Sequence, residues 1–187
     1  KLNRKNFDKN FNDLKILSDC KILVFGNGDI SKKLVKLIKD SSKSFTVISQ
    51  RETLSINKKK IKVRDYDFVV NLLPKNNSLT DYFDNSFFKL MNKNSYFINV
   101  GRGDTVNELD LYLVLKQKII KGAAIDVFKE EPLKETNRLL KLQNCLISPH
   151  SAGWFNSYWK NQTNLFMSNL GAYLKRKKLK NQIINVK

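Results

Sequence analysis

The stretch Lys21–Asp40, which reads KILVFGNGDISKKLVKLIKD, decides the fold. It opens with a short apolar run, KILVF, of the kind that forms a buried strand in a parallel sheet. Gly26 and Gly28 follow directly, and apolar residues then recur at helical spacing over Leu34–Ile38. The order strand, glycine turn, helix is the setting that makes such a glycine motif a candidate ligand loop. An ordinary strand-to-helix turn is the alternative.

The two glycines have distinct expected uses. The first permits a tight turn, and the second lets backbone N–H groups approach a pyrophosphate at the helix N-terminus. Ser31 stands at the third position of the motif, which is usually Gly or Ala, and it is small. We therefore predict a dinucleotide-binding turn at Gly26 and Gly28.

The remaining chain repeats the alternation of strands and helices, which predicts an α/β fold with a doubly wound parallel sheet. The further predicted strands are Phe45–Ser49, Asp67–Leu73, Ser95–Val100, Ala123–Val127 and Cys145–Ser148, with Asn57–Val63 as a short edge strand. The predicted helices are Lys1–Ile16, Asn85–Met91, Val106–Gln117 and Asn156–Lys175.

Two of these helices have an expected orientation. Thr105 or Asp104 is expected to cap Val106–Gln117, with an inward face of Leu109, Leu113 and Val114. Asn156–Lys175 has an apolar stripe of Trp159, Phe166, Leu170 and Tyr173. We expect Trp154, Phe155 and Trp159 to pack in the core or between domains; a base-stacking platform is the alternative.

Three chemically different groups come just after predicted strands. Arg102 lies between two glycines, Glu131 precedes a proline, and His150 is the one histidine of the sequence. Side chains just past the ends of parallel strands line a common crevice. An Arg, a carboxylate and a His that converge there could act on a small anionic carbonyl compound.

The residues after the second strand bear on the choice of dinucleotide. NAD-binding domains place Asp or Glu about 20 residues past the glycines, where it binds the adenosine ribose 2′-OH. Here the strand ends Ser49-Gln50-Arg51. An Arg could pair with a 2′-phosphate, which favours NADP over NAD, although Glu52 is one residue away.

Composition excludes several classes of protein. The 187 residues are 41% hydrophobic, enough for a packed core. There is no apolar run of about 20 residues to span a bilayer, and Lys1–Phe11 does not resemble a signal peptide. Cys20, Cys145 and one His do not form a metal-ligand pattern, so no metal is predicted and a reduced, cytoplasmic protein is favoured.

The formal net charge of +18 offers a second reading, a nucleic-acid or acidic-membrane partner. The basic residues are spread along the chain, and the one dense cluster is Lys175–Lys178. Because no nucleic-acid-reading motif accompanies them, we expect a solvated surface with neither nucleic acid nor membrane as partner.

The motifs together resemble the D-isomer-specific 2-hydroxyacid dehydrogenases in their nucleotide-binding domain, a Rossmann-type fold. The resemblance extends from about Cys20 to Gly153, with some similarity to the glyoxylate/hydroxypyruvate reductase branch. The matching pieces are FGNGDIS, VVNLLP, FINVGRGDTVNELDL, GAAIDVFKEEPL and LISPHSAGW.

The resemblance implies roles for the three groups. Arg102 would hold the substrate carboxylate and polarise the 2-keto oxygen. His150 would give its proton to that oxygen as hydride arrives from the nicotinamide. Glu131, in preference to the adjacent Glu130, would orient His150 and stabilise its protonated form.

The resemblance also implies a set of cofactor contacts. Asp29 departs from the family, which often has Arg or Asn there, and could repel a pyrophosphate or face the helix dipole. The implied cofactor-binding residues are Gly26, Gly28, Asp29, Ile30, Gln50, Arg51, Pro74, Val100, Gly101, Arg102, Asp126, His150 and Gly153.

The family has a second domain that closes over the substrate, and little here can supply it. We therefore expect a fragment, also because the sequence lacks an initiator Met. Residues 1–19 would be a linker or partial helix from the missing domain, 20–155 the NAD(P)-binding domain, and 156–187 a C-terminal helix and tail. The expected function is hydride transfer between NAD(P)H and a small 2-keto or 2-hydroxy acid, in a homodimer. A dinucleotide-sensing or scaffolding domain without catalysis is the alternative.

Overall fold

The computed structural model describes residues 15–55 and 60–182. The chain divides into two compact units, of which the first ends at His150 and the second begins at Ser151. The first unit is built on a six-stranded, all-parallel sheet with the strand order β2-β1-β3-β4-β5-β6. The strands are β1 Lys21–Phe25, β2 Ser44–Ile48, β3 Phe68–Asn71, β4 Tyr96–Asn99, β5 Gly122–Ile125 and β6 Cys145–Ile147.

Helices connect these strands, which confirms the predicted α/β fold with a parallel sheet. The strand order reverses at β1, which pairs with β2 on one side and β3 on the other. Ligands of open α/β sheets bind at such a reversal, outside the carboxyl ends of the strands. The helices are α1 Asp29–Ile38, α2 Gln50–Ser55, α3 Asn85–Phe88 and α4 Glu108–Lys116 in the first unit and α5 Tyr158–Leu174 in the second.

A phenylalanine cluster fills one face of the sheet. Phe83 and Phe87 contact edge to face, with ring centroids 4.8 Å apart, and both pack on Phe25 of β1. The other face has a smaller cluster of Ile22, Val24, Val70 and Ile38, which includes the inner side of α1. Parallel strands covered on both faces read as continuous apolar runs, which explains why the sequence predicted them closely.

The predicted edge strand Asn57–Val63 is wrong in the part that the structure describes. Val63–Asp65 is a short 3-10 turn, and β2 forms this edge of the sheet. Ile61 and Val63 are nevertheless buried, so the alternation reflects two anchoring side chains and not a strand ladder. The predicted helix Lys1–Ile16 falls almost wholly on residues 1–14, outside the described residues.

Helix α4 begins at Glu108, two residues later than predicted. Asn107 caps it by accepting a hydrogen bond from the backbone N–H of Asp110, whereas Thr105 lies in a preceding 3-10 turn. The inward face is also different from the prediction, because Leu109 and Leu113 are exposed and the buried residues are Leu111, Val114 and Leu115.

The second unit contains α5 with its apolar stripe exposed. Trp159, Phe166 and Tyr173 are each 65% exposed or more. Trp154 and Phe155 are exposed too, so packing in a core is wrong for the described residues, whereas packing between domains stays a prediction. Their rings contact one another locally, and Trp154 stacks on Tyr158 with centroids 6.1 Å apart.

Candidate active site

A cavity of about 290 Å³ lies at the carboxyl edge of the sheet, where four strands end. It is bordered by the segments that follow β1, β2, β3 and β4. Its walls bring together eight of the predicted cofactor-binding residues, which are Gly26, Gly28, Ile30, Gln50, Pro74, Val100, Gly101 and Arg102.

The glycine turn after β1 presents backbone to this cavity. Gly26 has φ +103°, and a Cβ there would meet the Leu72 carbonyl oxygen at 2.7 Å, so only glycine fits. Gly28 is the N-cap of α1, and nothing lies within 4 Å of the position that its Cβ would occupy. The first N–H groups of a helix lack intrahelical acceptors and favour an anion. These features fit the pyrophosphate of a dinucleotide.

Five of the thirteen predicted contacts lie outside the cavity lining, and Asp29 and Arg51 are two of them. Asp29 is exposed and its carboxylate lies 3.7 Å from the ammonium of Lys32, which reduces any repulsion of a bound anion. Arg51 is exposed on the first turn of α2. Glu52 next to it accepts a hydrogen bond from the backbone N–H of Ser49 at 2.7 Å, and hydrogen bonds from Ser49 hold the pKa of Glu52 below its usual value. The Glu52 carboxylate therefore caps the start of α2.

Arg102 sits on a turn that the protein holds tightly. A Cβ on Gly101 would meet the Leu73 carbonyl oxygen at 2.8 Å, and one on Gly103 would meet the Phe128 carbonyl carbon at 1.9 Å. The Arg102 side chain is exposed, and its Nη1 donates a hydrogen bond to the Gly101 carbonyl oxygen at 2.7 Å. The turn is fixed, while the guanidinium remains accessible.

The close approach of Gly103 to Phe128 joins this turn to the loop after β5. The backbone N–H of Phe128 donates to Oε1 of Glu131 at 2.8 Å. The other carboxylate oxygen, Oε2, accepts from Nδ1 of His150 at 2.7 Å. One carboxylate thus spans from the loop backbone to the imidazole.

Glu130 is engaged elsewhere, since it pairs with Lys134 at 2.7 Å. The structure thus brings Glu131, and not its neighbour, to His150. The peptide bond between Glu131 and Pro132 is cis.

His150 has a left-handed backbone conformation, with φ +51°, which is uncommon for a residue other than glycine. Its N–H donates to the Asp126 carbonyl oxygen at 2.8 Å. The Asp126 side chain is buried and accepts from the Ser148 hydroxyl at 2.5 Å. Asp126 thus ties the backbone of His150 to Ser148, just after β6, and its own N–H donates to the Asn99 carbonyl oxygen of β4.

The Glu131 carboxylate is held in its ionised form. Partial burial raises the pKa of Glu131, but the hydrogen bonds from His150 and from Phe128 N–H lower it, and the net pKa lies below the ordinary value. A carboxylate that accepts from Nδ1 fixes the imidazole orientation and leaves Nε2 to exchange a proton with a ligand. A second cavity, of about 310 Å³, adjoins this pair and has a mostly apolar wall of Phe128, Pro132, Leu133, Leu140 and Ile147.

Three further residues of the 290 Å³ cavity were not found from the sequence: Asn27, Leu72 and Leu73. The spacing of the glycines could have pointed to Asn27, but Leu72 and Leu73 approach only because β3 pairs with β1. Gly153, the last of the predicted cofactor contacts, lies in the second unit.

Within the described residues, no group of three or more His, Cys, Asp or Glu could hold a metal, and no helix is long and apolar enough to cross a membrane.

Comparison with known proteins places this geometry in a family. Residues 1–152 match the family described as D-isomer specific 2-hydroxyacid dehydrogenase, NAD binding domain. The chain is 41% identical over 87 residues to the human glyoxylate reductase/hydroxypyruvate reductase, a match that covers 45% of this chain and 26% of that protein. It is 40% identical over 90 residues to a putative 2-hydroxyacid dehydrogenase of Bacillus subtilis, covering 48% of this chain and 26% of that one.

A solved structure shows the same fold. The NADPH-dependent glyoxylate/hydroxypyruvate reductase of Sinorhizobium meliloti, in complex with NADP and sulfate, superposes with a TM-score of 0.76 at 20% identity. The superposition covers 91% of this chain and 57% of that chain. The matched segment thus spans about a quarter of the curated relatives, and the chain spans little more than half of this enzyme. The chain belongs to the D-isomer specific 2-hydroxyacid dehydrogenase family, in its NAD binding domain.

Proposed function

We propose that this protein is an oxidoreductase that transfers a hydride between NAD(P)H and a small 2-keto or 2-hydroxy acid of D configuration. The observation that supports it most is the 2.7 Å hydrogen bond between Glu131 and His150. It lies at the carboxyl edge of the sheet, one loop away from Arg102.

The 290 Å³ cavity is the proposed cofactor site. Gly26 and Gly28 allow the backbone at the α1 N-terminus to meet a pyrophosphate, and Pro74, Val100 and Gly101 line the same cavity from the loops after β3 and β4. When bound, the nicotinamide supplies the hydride. The remaining chemistry, which is anion binding and proton transfer, belongs to the side chains of this chain.

Arg102 is the proposed carboxylate-binding residue. Its guanidinium is exposed, and its fixed fork of N–H donors matches a carboxylate in a way that a lysine ammonium does not. The same charge would polarise the 2-keto oxygen. In reduction, His150 gives a proton from Nε2 to that oxygen, and Glu131 stabilises the imidazolium before transfer. Reduction consumes one hydride and this one proton, and yields the 2-hydroxy acid.

NADP is favoured over NAD as the cofactor. Arg51 stands exposed after β2, where an acidic residue would bind a ribose 2′-OH, and Glu52 is engaged with Ser49. Asp29 pairs with Lys32, so its charge is a small obstacle.

The proposed organisation of the whole protein is that of the family. Residues 1–19 link to a substrate domain, 20–155 bind the cofactor, and 156–187 form a C-terminal helix and tail. We further propose a cytoplasmic homodimer that binds neither nucleic acid nor membranes. Both cysteines are free, and burial raises the pKa of the Cys145 thiol to about 11, which suits a thiol kept reduced and inert.

The test is a pair of carboxamide variants of the full-length protein, assayed with NADPH or NADH and glyoxylate or hydroxypyruvate. Glu131→Gln should lower kcat by about 10² to 10⁴, because the amide cannot stabilise a protonated His150. The matched control is Glu130→Gln, which removes the same charge one residue away and should leave kcat unchanged. His150→Ala should lose as much turnover as Glu131→Gln, with little change in cofactor affinity.

Equal activity of Glu131→Gln and the unmodified protein would contradict the proposed role. If the unmodified protein binds NADPH but reduces neither acid, the non-catalytic alternative, a dinucleotide-sensing domain, replaces the proposal.

A further inference from the structure

Three polar side chains lie fully buried behind the wall of the 290 Å³ cavity, namely Asn71, Asn99 and Thr105, each 0% exposed. Asn71 ends β3, Asn99 ends β4, and the two are paired in the register of these strands. The interior of a parallel sheet is normally apolar. A buried amide or hydroxyl destabilises the fold unless its hydrogen bonds are made. Polar residues at these positions therefore call for a reason.

The hydrogen bonds of these three side chains lead from the Asn71 amide to the backbone of Arg102. Asn71 Nδ2 donates to Asn99 Oδ1 at 2.8 Å and to Thr105 Oγ1 at 2.7 Å, which uses both of its amide hydrogens. The Thr105 hydroxyl then donates to the Arg102 carbonyl oxygen at 2.7 Å. Because each of these hydrogens has a single acceptor, the position of the Asn71 amide is coupled through the Thr105 hydroxyl to the backbone of Arg102.

The same side chains hold two loops that line the cavity. Asn71 Oδ1 accepts from the Leu73 N–H at 3.0 Å, in the loop after β3. Asn99 Oδ1 accepts from the Gly101 N–H at 3.2 Å, in the loop after β4. The orientation of both amides follows from these bonds, since a flipped amide would face each N–H with another donor.

The Arg102 side chain itself has little to hold it. It is exposed, and the hydrogen bond recorded for its guanidinium in the described residues goes to the adjacent Gly101 carbonyl oxygen. Because this acceptor belongs to the same turn, the direction of the side chain depends on the turn backbone, which Thr105 and Asn99 bind at the Arg102 carbonyl oxygen, at 2.7 and 3.4 Å.

We infer that Asn71, Asn99 and Thr105 are positioning residues that set the direction in which Arg102 projects towards a bound 2-keto acid. They touch neither cofactor nor substrate, and act by fixing the turn between Val100 and Gly103. The inference rests on the proposed function for its kinetic consequence, but the positioning of Arg102 can be measured without turnover.

The kinetic experiment compares Thr105→Val with Thr105→Ser in the full-length protein, with glyoxylate and NADPH as the probe. Valine keeps the volume but loses the hydroxyl, whereas serine keeps the hydroxyl. Thr105→Val should raise KM for glyoxylate about tenfold with kcat changed less than about threefold, and Thr105→Ser should restore the original KM. In an Arg102→Lys background the Thr105→Val effect on KM should vanish, because a coupled pair is not additive.

A matched control comes from the opposite edge of the sheet. Ser95 is also fully buried, and its hydroxyl donates to the Asn92 carbonyl oxygen at 2.6 Å. Ser95→Ala removes a comparable hydrogen bond and should leave KM unchanged. An equal rise in KM in Ser95→Ala, or a Thr105→Val effect that persists in full with Lys at position 102, would show a general structural effect and overturn the inference.

The second measurement does not need activity. The NMR order parameter of the Arg102 Nε–H should fall in Thr105→Val and return in Thr105→Ser, and the Gly101 amide should exchange at least about tenfold faster in Asn99→Leu. Absence of both changes would overturn the positioning role. Absence of turnover in the unmodified protein, with both changes present, would overturn the proposed function and leave the positioning of Arg102 in place.

Discussion

The two glycine-containing turns of the cofactor cavity are alike in sequence and differ in the packing of their second glycine. In the first, Gly26-Asn27-Gly28, the second glycine faces open space and its neighbours are exposed. In the second, Gly101-Arg102-Gly103, both glycines are pressed against backbone, with Gly103 closest. Gly28 leaves room for a ligand, whereas Gly26, Gly101 and Gly103 leave room for the backbone of the protein itself.

Because of this difference, substitutions at the two second glycines should affect different properties, cofactor binding at Gly28 and folding stability at Gly103. A side chain at Gly28 should affect a bound cofactor and spare the fold, and a side chain at Gly103 should affect the fold first. The comparison also explains why Arg102 can be exposed and still have a defined position, since its turn is packed on the loop that leads to Glu131.

The largest expected effect is that of Gly103→Ala. The new Cβ would lie 1.9 Å from the Phe128 carbonyl carbon and 2.1 Å from its oxygen, and backbone atoms cannot rotate away. We expect the free energy of unfolding to fall by about 3 kcal/mol, measured by urea denaturation. Gly171→Ala, in α5 with open space around its Cβ, is the control and should not destabilise. A stable Gly103→Ala protein would erase the contrast between the turns.

The next effect is expected for Gly28→Val. Gly28 has φ −70° and ψ −173°, which any residue adopts, so the free energy of unfolding should change by less than about 0.5 kcal/mol. NADPH binding should weaken about thirtyfold, because the side chain occupies the space needed by the pyrophosphate. Fluorescence titration measures it. Unchanged NADPH affinity would show that the cofactor does not bind at this turn.

Arg51→Asp should have a smaller effect, confined to the choice of cofactor. Arg51 is exposed at the start of α2 and follows Gln50, which lines the cavity. An acidic residue would repel a 2′-phosphate and accept from a 2′-OH. The ratio of NADPH to NADH affinity should fall about tenfold, by parallel titrations. Preference for NADH in the unmodified protein would exclude the assigned role of Arg51.

The smallest expected effect is the pH dependence due to Glu131 in the loop beside the second turn. Its pKa in the folded protein lies below the ordinary value of 4.5. The ionised group therefore stabilises the fold above that value, and this stabilisation is lost as the pH falls through the folded-state pKa. Because the carboxylate is 35% exposed, we expect less than about 1 kcal/mol. The free energy of unfolding of Glu131→Gln, measured from about pH 7 to about pH 3, should lack this pH-dependent part. A pH profile identical to that of the unmodified protein would contradict the prediction.

The sequence was sufficient for most of the fold because burial on both faces makes parallel strands into apolar runs. The predicted strand ends differ from the observed ones by a residue or two. The cap of α4 was mistaken because Asp104, Thr105 and Asn107 are all capping residue types, and Thr105 is bound to Arg102 and Asn71 instead. That choice depends on a strand that is distant in sequence.

The candidate site was predicted from residue order, and its geometry was not. Position after a strand placed Arg102, Glu131 and His150 at one edge of the sheet. The left-handed backbone of His150 and the close approach of Gly103 to Phe128 arise from tertiary contacts that no local pattern encodes. Asn71 and Asn99 had a visible signal, a polar residue at the end of an apolar run, but its meaning depended on their pairing in the sheet.

The strand order also has a consequence for how the chain folds. No two neighbouring strands are joined by a hairpin, because all pairs are parallel. The central pairing of β1 with β3 brings together Lys21 and Asp67, which are 46 residues apart. The entropy cost of closing such a loop comes before the stabilising contacts form, so this topology folds slowly. One edge of β1 stays unpaired until β3 has been synthesised. During translation, the KILVF strand therefore presents an unpaired apolar edge that needs protection from aggregation.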